Sequence, residues 1–152
     1  MDDVRSVRMD EETRNEFLGT GGTGVVSFAP DEAGEAPFSL PVSYGYDAES
    51  GDFYFRLATG PDAGKADFVD RRTPVSFVAY ETLDGRWESV VATGRLEEVT
   101  EAAIDSDVVQ AMRNVEIPLV DVFDRHPREV EFGFYRLVPE EVTGKREART
   151  ED

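Results

Sequence analysis

At 152 residues the chain has the length of one domain, and its 39 % hydrophobic content is enough to bury a core, which excludes a disordered chain. Acidic side chains number 33 against 16 basic ones, for a net charge of -17, a surface that repels nucleic-acid phosphates and excludes them as partners. There is no cysteine, so disulfides, thiolate chemistry and Cys-type zinc sites are excluded, and the single His126 leaves little for a His-based metal site.

No apolar run approaches the roughly eighteen residues of a membrane span, and Met1–Asp10 lacks the apolar stretch of a secretory signal. The expected setting is the cytoplasm. Among the basic residues only Lys65 and Lys145 are lysines. An acid-rich, lysine-poor surface fits a compartment in which molar salt screens self-repulsion, such as the cytoplasm of a halophilic archaeon.

In chain order, Asp10 caps a short helix ending at Leu18, which Gly19–Gly22 stop. Gly24–Ala29 reads as a strand and Pro30–Ala36 as a polar loop. Over Phe38–Tyr46, Phe38, Leu40, Val42, Tyr44 and Tyr46 share one face at period two, and Ser39, Pro41, Ser43 and Gly45 share the other. One face is bulky and the other nearly bare, so a flat ligand or a second sheet can approach the backbone.

Asp47–Gly51 is a turn and Asp52–Ala58 a strand. Thr59–Lys65 is a loop feeding a short helix that stops before Thr73-Pro74. Val75–Tyr80 is a strand, Asp84-Gly85 signals a type I′ hairpin, and Trp87–Val99 returns as a long strand with a bend at Gly94. Thr100 caps a helix whose Ile104, Val108, Ala111, Met112 and Val115 pack on the sheet. Glu116–Glu129 is irregular and Glu131–Val138 is the last strand. The whole of 1–152 reads as one mainly β, barrel-like domain, ordered over about 9–145 and ending in a loose acidic tail, 146–152.

Acid–base chemistry is poorly supplied. Hydrolase elbows, zinc-protease motifs and phosphate-binding Walker loops are missing, and His126 sits in a turn, Asp124–Pro127, where a solvated role is expected. A cofactor must then carry any chemistry. The Thr59–Lys65 loop, with small residues, a hydroxyl, a lysine and a helix start, suits a phosphate; an ordinary strand–helix connection is the alternative.

The ordered set Gly24–Phe28, Pro41–Asp47, Phe53–Phe55, Gly64-Lys65 and Trp87–Arg95 resembles the FMN-binding split β-barrel family, in its nitroimidazole-reductase-like branch related to pyridoxamine 5′-phosphate oxidase. The resemblance implies a homodimer with FMN in the groove between subunits and a small-molecule substrate. Ser39, Leu40, Pro41, Val42, Ser43 and Tyr44 would lie along the flavin ring. Leu57, Ala58 and Thr59 would flank its phosphate chain, and Lys65 would pair with the phosphate. Ser89 would contact the flavin from the same or the partner subunit. Trp87 would stack on the ring or close the interface, a rim position in the barrel being the equal alternative.

The pyridoxamine-phosphate oxidases themselves place a basic residue at each end of the flavin-contacting strand, where this chain has Ser39 and Tyr44. Arg125–Glu129 does not match their arginine–serine substrate motif. The expectation is therefore an FMN-dependent oxidoreductase other than that oxidase, taking electrons from a reduced nicotinamide or flavin. A deazaflavin-binding reductase and a non-catalytic flavin-binding or sensing module are the alternatives.

Overall fold

The computed structural model describes residues 3–30, 32–59, 74–99 and 131–150. Among them are one helix, α1 (Glu11–Leu18), and seven strands. In chain order these are β1 (Asp3–Arg8), β2 (Gly21–Phe28), β3 (Phe38–Asp47), β4 (Asp52–Thr59), β5 (Pro74–Leu83), β6 (Arg86–Glu98) and β7 (Glu131–Thr150). The strand order β7-β4-β3-β2-β5-β6 closes on itself through β6–β7 pairing, giving a six-stranded antiparallel barrel with β1 added to the far end of β7. The expected mainly β split barrel is what the chain forms.

Period-two alternation builds the wall. On β3, Leu40, Val42, Tyr44 and Tyr46 point inward and are buried, as the sequence pattern requires. They join Phe53, Phe55 and Leu57 of β4 and Phe77 of β5. The aromatic rings meet tilted or edge-on, with Tyr44–Phe77 at 5.2 Å and Phe55–Phe77 at 5.0 Å between centroids, the geometry ring quadrupoles favour.

Helix α1 starts where expected: the Asp10 carboxylate accepts from the Thr13 N–H at 2.8 Å, and Gly19 ends the helix at φ 59°. The Tyr44 hydroxyl donates to the Leu18 carbonyl at 3.0 Å, and the Tyr46 hydroxyl donates to Asn15 Oδ1 at 2.6 Å. Two tyrosines of β3 thus fasten the helix to the barrel. Asp84 and Gly85 both take positive φ, 53° and 75°, as a type I′ hairpin between β5 and β6 demands.

The bend expected at Gly94 is a register shift between Thr93 and Gly94, where Glu140 of β7 is the extra residue between the partners Pro139 and Glu141. A Cβ on Gly94 would stand 2.6 Å from the Val138 carbonyl oxygen, so β7 crosses too closely for a side chain. Pro139, which donates no ladder hydrogen bond, sits beside the irregularity.

Two features depart from the sequence reading. β1 falls in a segment read as lying before the ordered core, and β7 continues past Lys145 to Thr150, where a loose tail is expected. Each supplies the other's ladder, from Asp3–Thr150 to Arg8–Lys145, so neither is legible from its own short, charged stretch. The expected helices after Lys65 and Thr100, the irregular 116–129 segment and His126 lie outside the described residues.

Candidate functional site

Two consequences of the strand pairing define the site. The first is a seam. β3 pairs with β2 from Phe38 to Gly45, but among the described residues it pairs with β4 only from Tyr44 to Asp47. Among the described residues no strand pairs with Ser39–Val42 on that side, so the backbone there forms an edge that a ligand could approach. Pro41, lacking an N–H, suits such an edge.

The second is a row of hydroxyls. Ser39 pairs with Ser27, Ser27 with Ser76, and Ser76 with Thr93, so four strands place four hydroxyls side by side on the outer face. Ser27 and Ser39 are hydrogen-bonded at 2.7 Å. These residues line an outer groove of about 550 Å³, within the roughly 300–1,000 Å³ of small-molecule sites. Pro30, Pro37 and Pro74 supply apolar walls, and Arg95 and Glu140, paired at 2.5 Å, stand at one end. The groove suits a flat molecule with an apolar body and a polar edge, since hydroxyls both donate and accept.

The next outward row is apolar: Pro41 pairs with Val25, Val25 with Val78, and Val78 with Val91. Val91 is 39 % exposed. On the same face Tyr80 and Trp87 stack at 5.8 Å between centroids, both about half exposed.

Against this geometry the sequence-derived site residues divide. Ser39 and Pro41 face outward and are exposed, whereas Ser43 is buried. The side chains of Leu40, Val42, Tyr44 and Leu57 belong to the core, so only their backbones are available to a ligand outside the barrel. Burial pushes the Tyr44 phenol up to about 12, with lesser repulsion from Glu81 and Tyr46. It is an uncharged structural donor at neutral pH. Ala58 and Thr59 lie on β4 opposite Phe132 and Glu131 of β7. Lys65 lies outside the described residues.

Trp87 and Ser89 are on β6, three strands away from β3, or roughly 14 Å at ~4.8 Å per strand. They share the outer face of β6 with Thr93, which lines the groove together with Ser39. Sequence reasoning missed Ser27, Ser76 and Thr93. Their signal was a polar residue at an outward position of an otherwise apolar strand, which gains meaning only once register places the four in line.

A protein-family model described as pyridoxamine 5′-phosphate oxidase matches residues 10–146. No curated protein matches the chain. Several solved structures share the fold. A Mycobacterium smegmatis protein described as FAD-binding superposes with a TM-score of 0.66 at 16 % identity, covering 92 % of this chain and 97 % of its own. A Mesorhizobium loti protein also described as FAD-binding gives 0.57 at 23 %, covering 95 % and 98 %. A Bacteroides thetaiotaomicron protein, described as a candidate for 5-nitroimidazole antibiotic resistance, gives 0.64 at 16 %, covering 100 % and 95 %.

Proposed function

This chain belongs to the pyridoxamine 5′-phosphate oxidase family, and from that premise we propose that it binds FMN and acts as an oxidoreductase on a small planar substrate. The observation that carries this reading is the seam beside Ser39–Val42, a strand edge among the described residues that adjoins the hydroxyl-lined groove at Ser39. The residues fit the group. The bare outer face of β3 admits a flat ring, the seam offers main-chain partners to its polar edge, and the prolines contact its apolar part. Bound there, the flavin would supply hydride and electron transfer, which the chain's own side chains cannot.

The chain's residues then bind and orient. Ser39 and Ser27 hold the rim of the ring, Lys65 takes the phosphate, and Ser89 and Trp87 reach the flavin from a partner subunit. A homodimer through the apolar row Pro41–Val25–Val78–Val91 would cover the open side of the groove and leave the cofactor between subunits. A high-salt cytoplasm is the setting we assign to a chain of net charge -17. The two solved structures described as FAD-binding lend the family reading further support.

The test is titration of FMN, FAD and 8-hydroxy-deazaflavin into the purified protein in molar KCl. Saturable quenching of flavin fluorescence, strongest for FMN, is expected. Preference for FAD or the deazaflavin would overturn the cofactor assignment, and no binding of any flavin would overturn the function. Donor oxidation with a panel of planar acceptors separates an enzyme from a module that holds flavin without turnover.

A further inference from the structure

Strand β1 lies at one end of the strand order, and among the described residues no strand pairs with its other side. β7 pairs with β6 only as far as Arg146, so past that point β1 and the end of β7 form a two-stranded ribbon among those residues. Arg5, Ser6, Val7 and Arg8 are all exposed. Consecutive residues of a strand point to opposite faces, so both faces of β1 are open here.

The ladder fixes which backbone groups the outer side presents. The Met9 N–H donates to the Gly144 carbonyl at 2.8 Å, one step beyond the Arg8–Lys145 pair. Backbone groups alternate in direction along an antiparallel strand. Arg5, Val7 and Met9 therefore turn their N–H and C=O groups toward β7, and Val4, Ser6 and Arg8 turn theirs outward. A strand laid along that side would pair with Val4, Ser6 and Arg8.

The edge is basic in an acidic chain. Against a net charge of -17, Arg5 stands opposite Ala148 and Arg8 opposite Lys145, so neither faces a carboxylate directly across the ladder. Glu147 stands opposite Ser6 and is partly buried. Like charges directly opposite repel, so Arg8 and Lys145 gain from a carboxylate brought beside them. A second copy of β1 would bring its own Arg5 and Arg8 instead.

We propose that β1 is a docking edge for an extended acidic segment of another protein, which adds to it as an antiparallel strand. Main-chain hydrogen bonds supply the affinity and side chains choose the partner. In that direction the residue opposite Arg5 comes three places after the one opposite Arg8, with the residues opposite Val7 and Ser6 between them. The segment recognised is thus acidic, apolar, polar, acidic. Screening in molar salt leaves the backbone bonds in place and weakens the ion pairs least where they are in contact. No residue of β1 lines the groove, and the docking edge does not depend on flavin binding.

The experiment titrates a synthetic peptide, acetyl-Thr-Glu-Val-Thr-Glu-Val-Thr-amide, into the ¹⁵N-labelled full chain and follows amide shifts and hydrogen exchange. Saturable shifts along β1 are expected, with exchange slowed at Val4, Ser6 and Arg8 and little changed at Arg5 and Val7, which β7 already protects. A peptide of the same charge with proline for its central threonine lacks the N–H that would meet Ser6, and should bind at least about tenfold more weakly. Ser6→Pro removes an outward N–H that β7 does not use, so the strand is kept and the peptide is lost. The double variant Arg5→Gln/Arg8→Gln should also bind about tenfold more weakly, through its missing charge-assisted bonds. Spectral dispersion verifies that each variant is folded, and the proline peptide tests the edge on the unaltered chain. Equal binding of the two peptides, wild-type affinity in Ser6→Pro, or shifts confined to other strands overturns the docking edge. Wild-type affinity in the arginine variant overturns the acidic partner. A lower mass for unbound Ser6→Pro than for wild type, by light scattering, gives the edge to a second copy and overturns the peptide. If FMN fails to bind, the proposed function falls and the peptide result still decides the edge.

Discussion

Tyr44→Phe separates a structural tyrosine from a cofactor contact, and the structure sets the size and sign of its effect. The hydroxyl donates to the Leu18 carbonyl at 3.0 Å in a buried setting, so its removal leaves a helix-terminal acceptor without that partner. The cost near pH 7 is about 1–2 kcal/mol. Burial also holds the phenol up to about 12, against 10.0 in the unfolded chain. Below about pH 10 both states keep the proton and the wild-type advantage is intact. Between about 10 and about 12 the unfolded chain ionises while the folded one does not, so wild-type stability falls by about 1.4 kcal/mol per pH unit, about 3 kcal/mol in all. Tyr46, Tyr54 and Tyr135, also raised by burial, titrate in both proteins and drop out of the difference. Denaturant unfolding of the two proteins from about pH 7 to about pH 12 should therefore give stability curves that cross in the alkaline range, the variant ending the more stable. Curves that stay parallel would refute the account of Tyr44 as a buried, neutral donor.

Further outcomes follow from the same geometry. Gly94→Ala drives a Cβ to within 2.6 Å of the Val138 carbonyl and should cost about 1–3 kcal/mol by thermal or denaturant unfolding. Ser39→Phe fills the exposed rim of the groove; circular dichroism should report an intact fold, with flavin affinity at least about tenfold weaker in a fluorescence titration. Trp87 is the sole tryptophan and is 50 % exposed, so its emission should shift to the blue when a second subunit or a flavin covers it. With a net charge of -17, the melting temperature should rise between roughly 0.1 M and roughly 2 M KCl as repulsion is screened.

What could be read from the sequence is what depends on neighbouring residues. The alternation in Phe38–Tyr46 gave β3 its inward and outward faces, Asp10 gave the helix its start, and Asp84-Gly85 gave the hairpin its turn, because each is a local preference of backbone or side chain. What could not be read depends on register. Ser39, Ser27, Ser76 and Thr93 are single polar residues on four strands, and only the pairings make them a row. The seam was equally hidden, since nothing local to Ser39–Ser43 says that β4 pairs only from Tyr44 onward. Arg8 and Lys145, more than a hundred residues apart in sequence, meet for the same reason.

The reach of β7 sets the order in which the molecule can be made. It pairs with β4 through its first turn of the wall, with β6 through its middle and with β1 at its end, the last ladder joining Asp3 to Thr150. While a ribosome is still reading codons short of residue 131, the emerged strands have no means of closing: β4 and β6 each keep an unmatched edge, and β1 has nothing to dock on. Closure of the wall is therefore a late event, governed by long-range contacts that form slowly. Neighbouring nascent chains on one message would expose such edges to one another. In dilute salt the net charge of -17 would hold such unfinished edges apart, a protection that screening at molar salt removes.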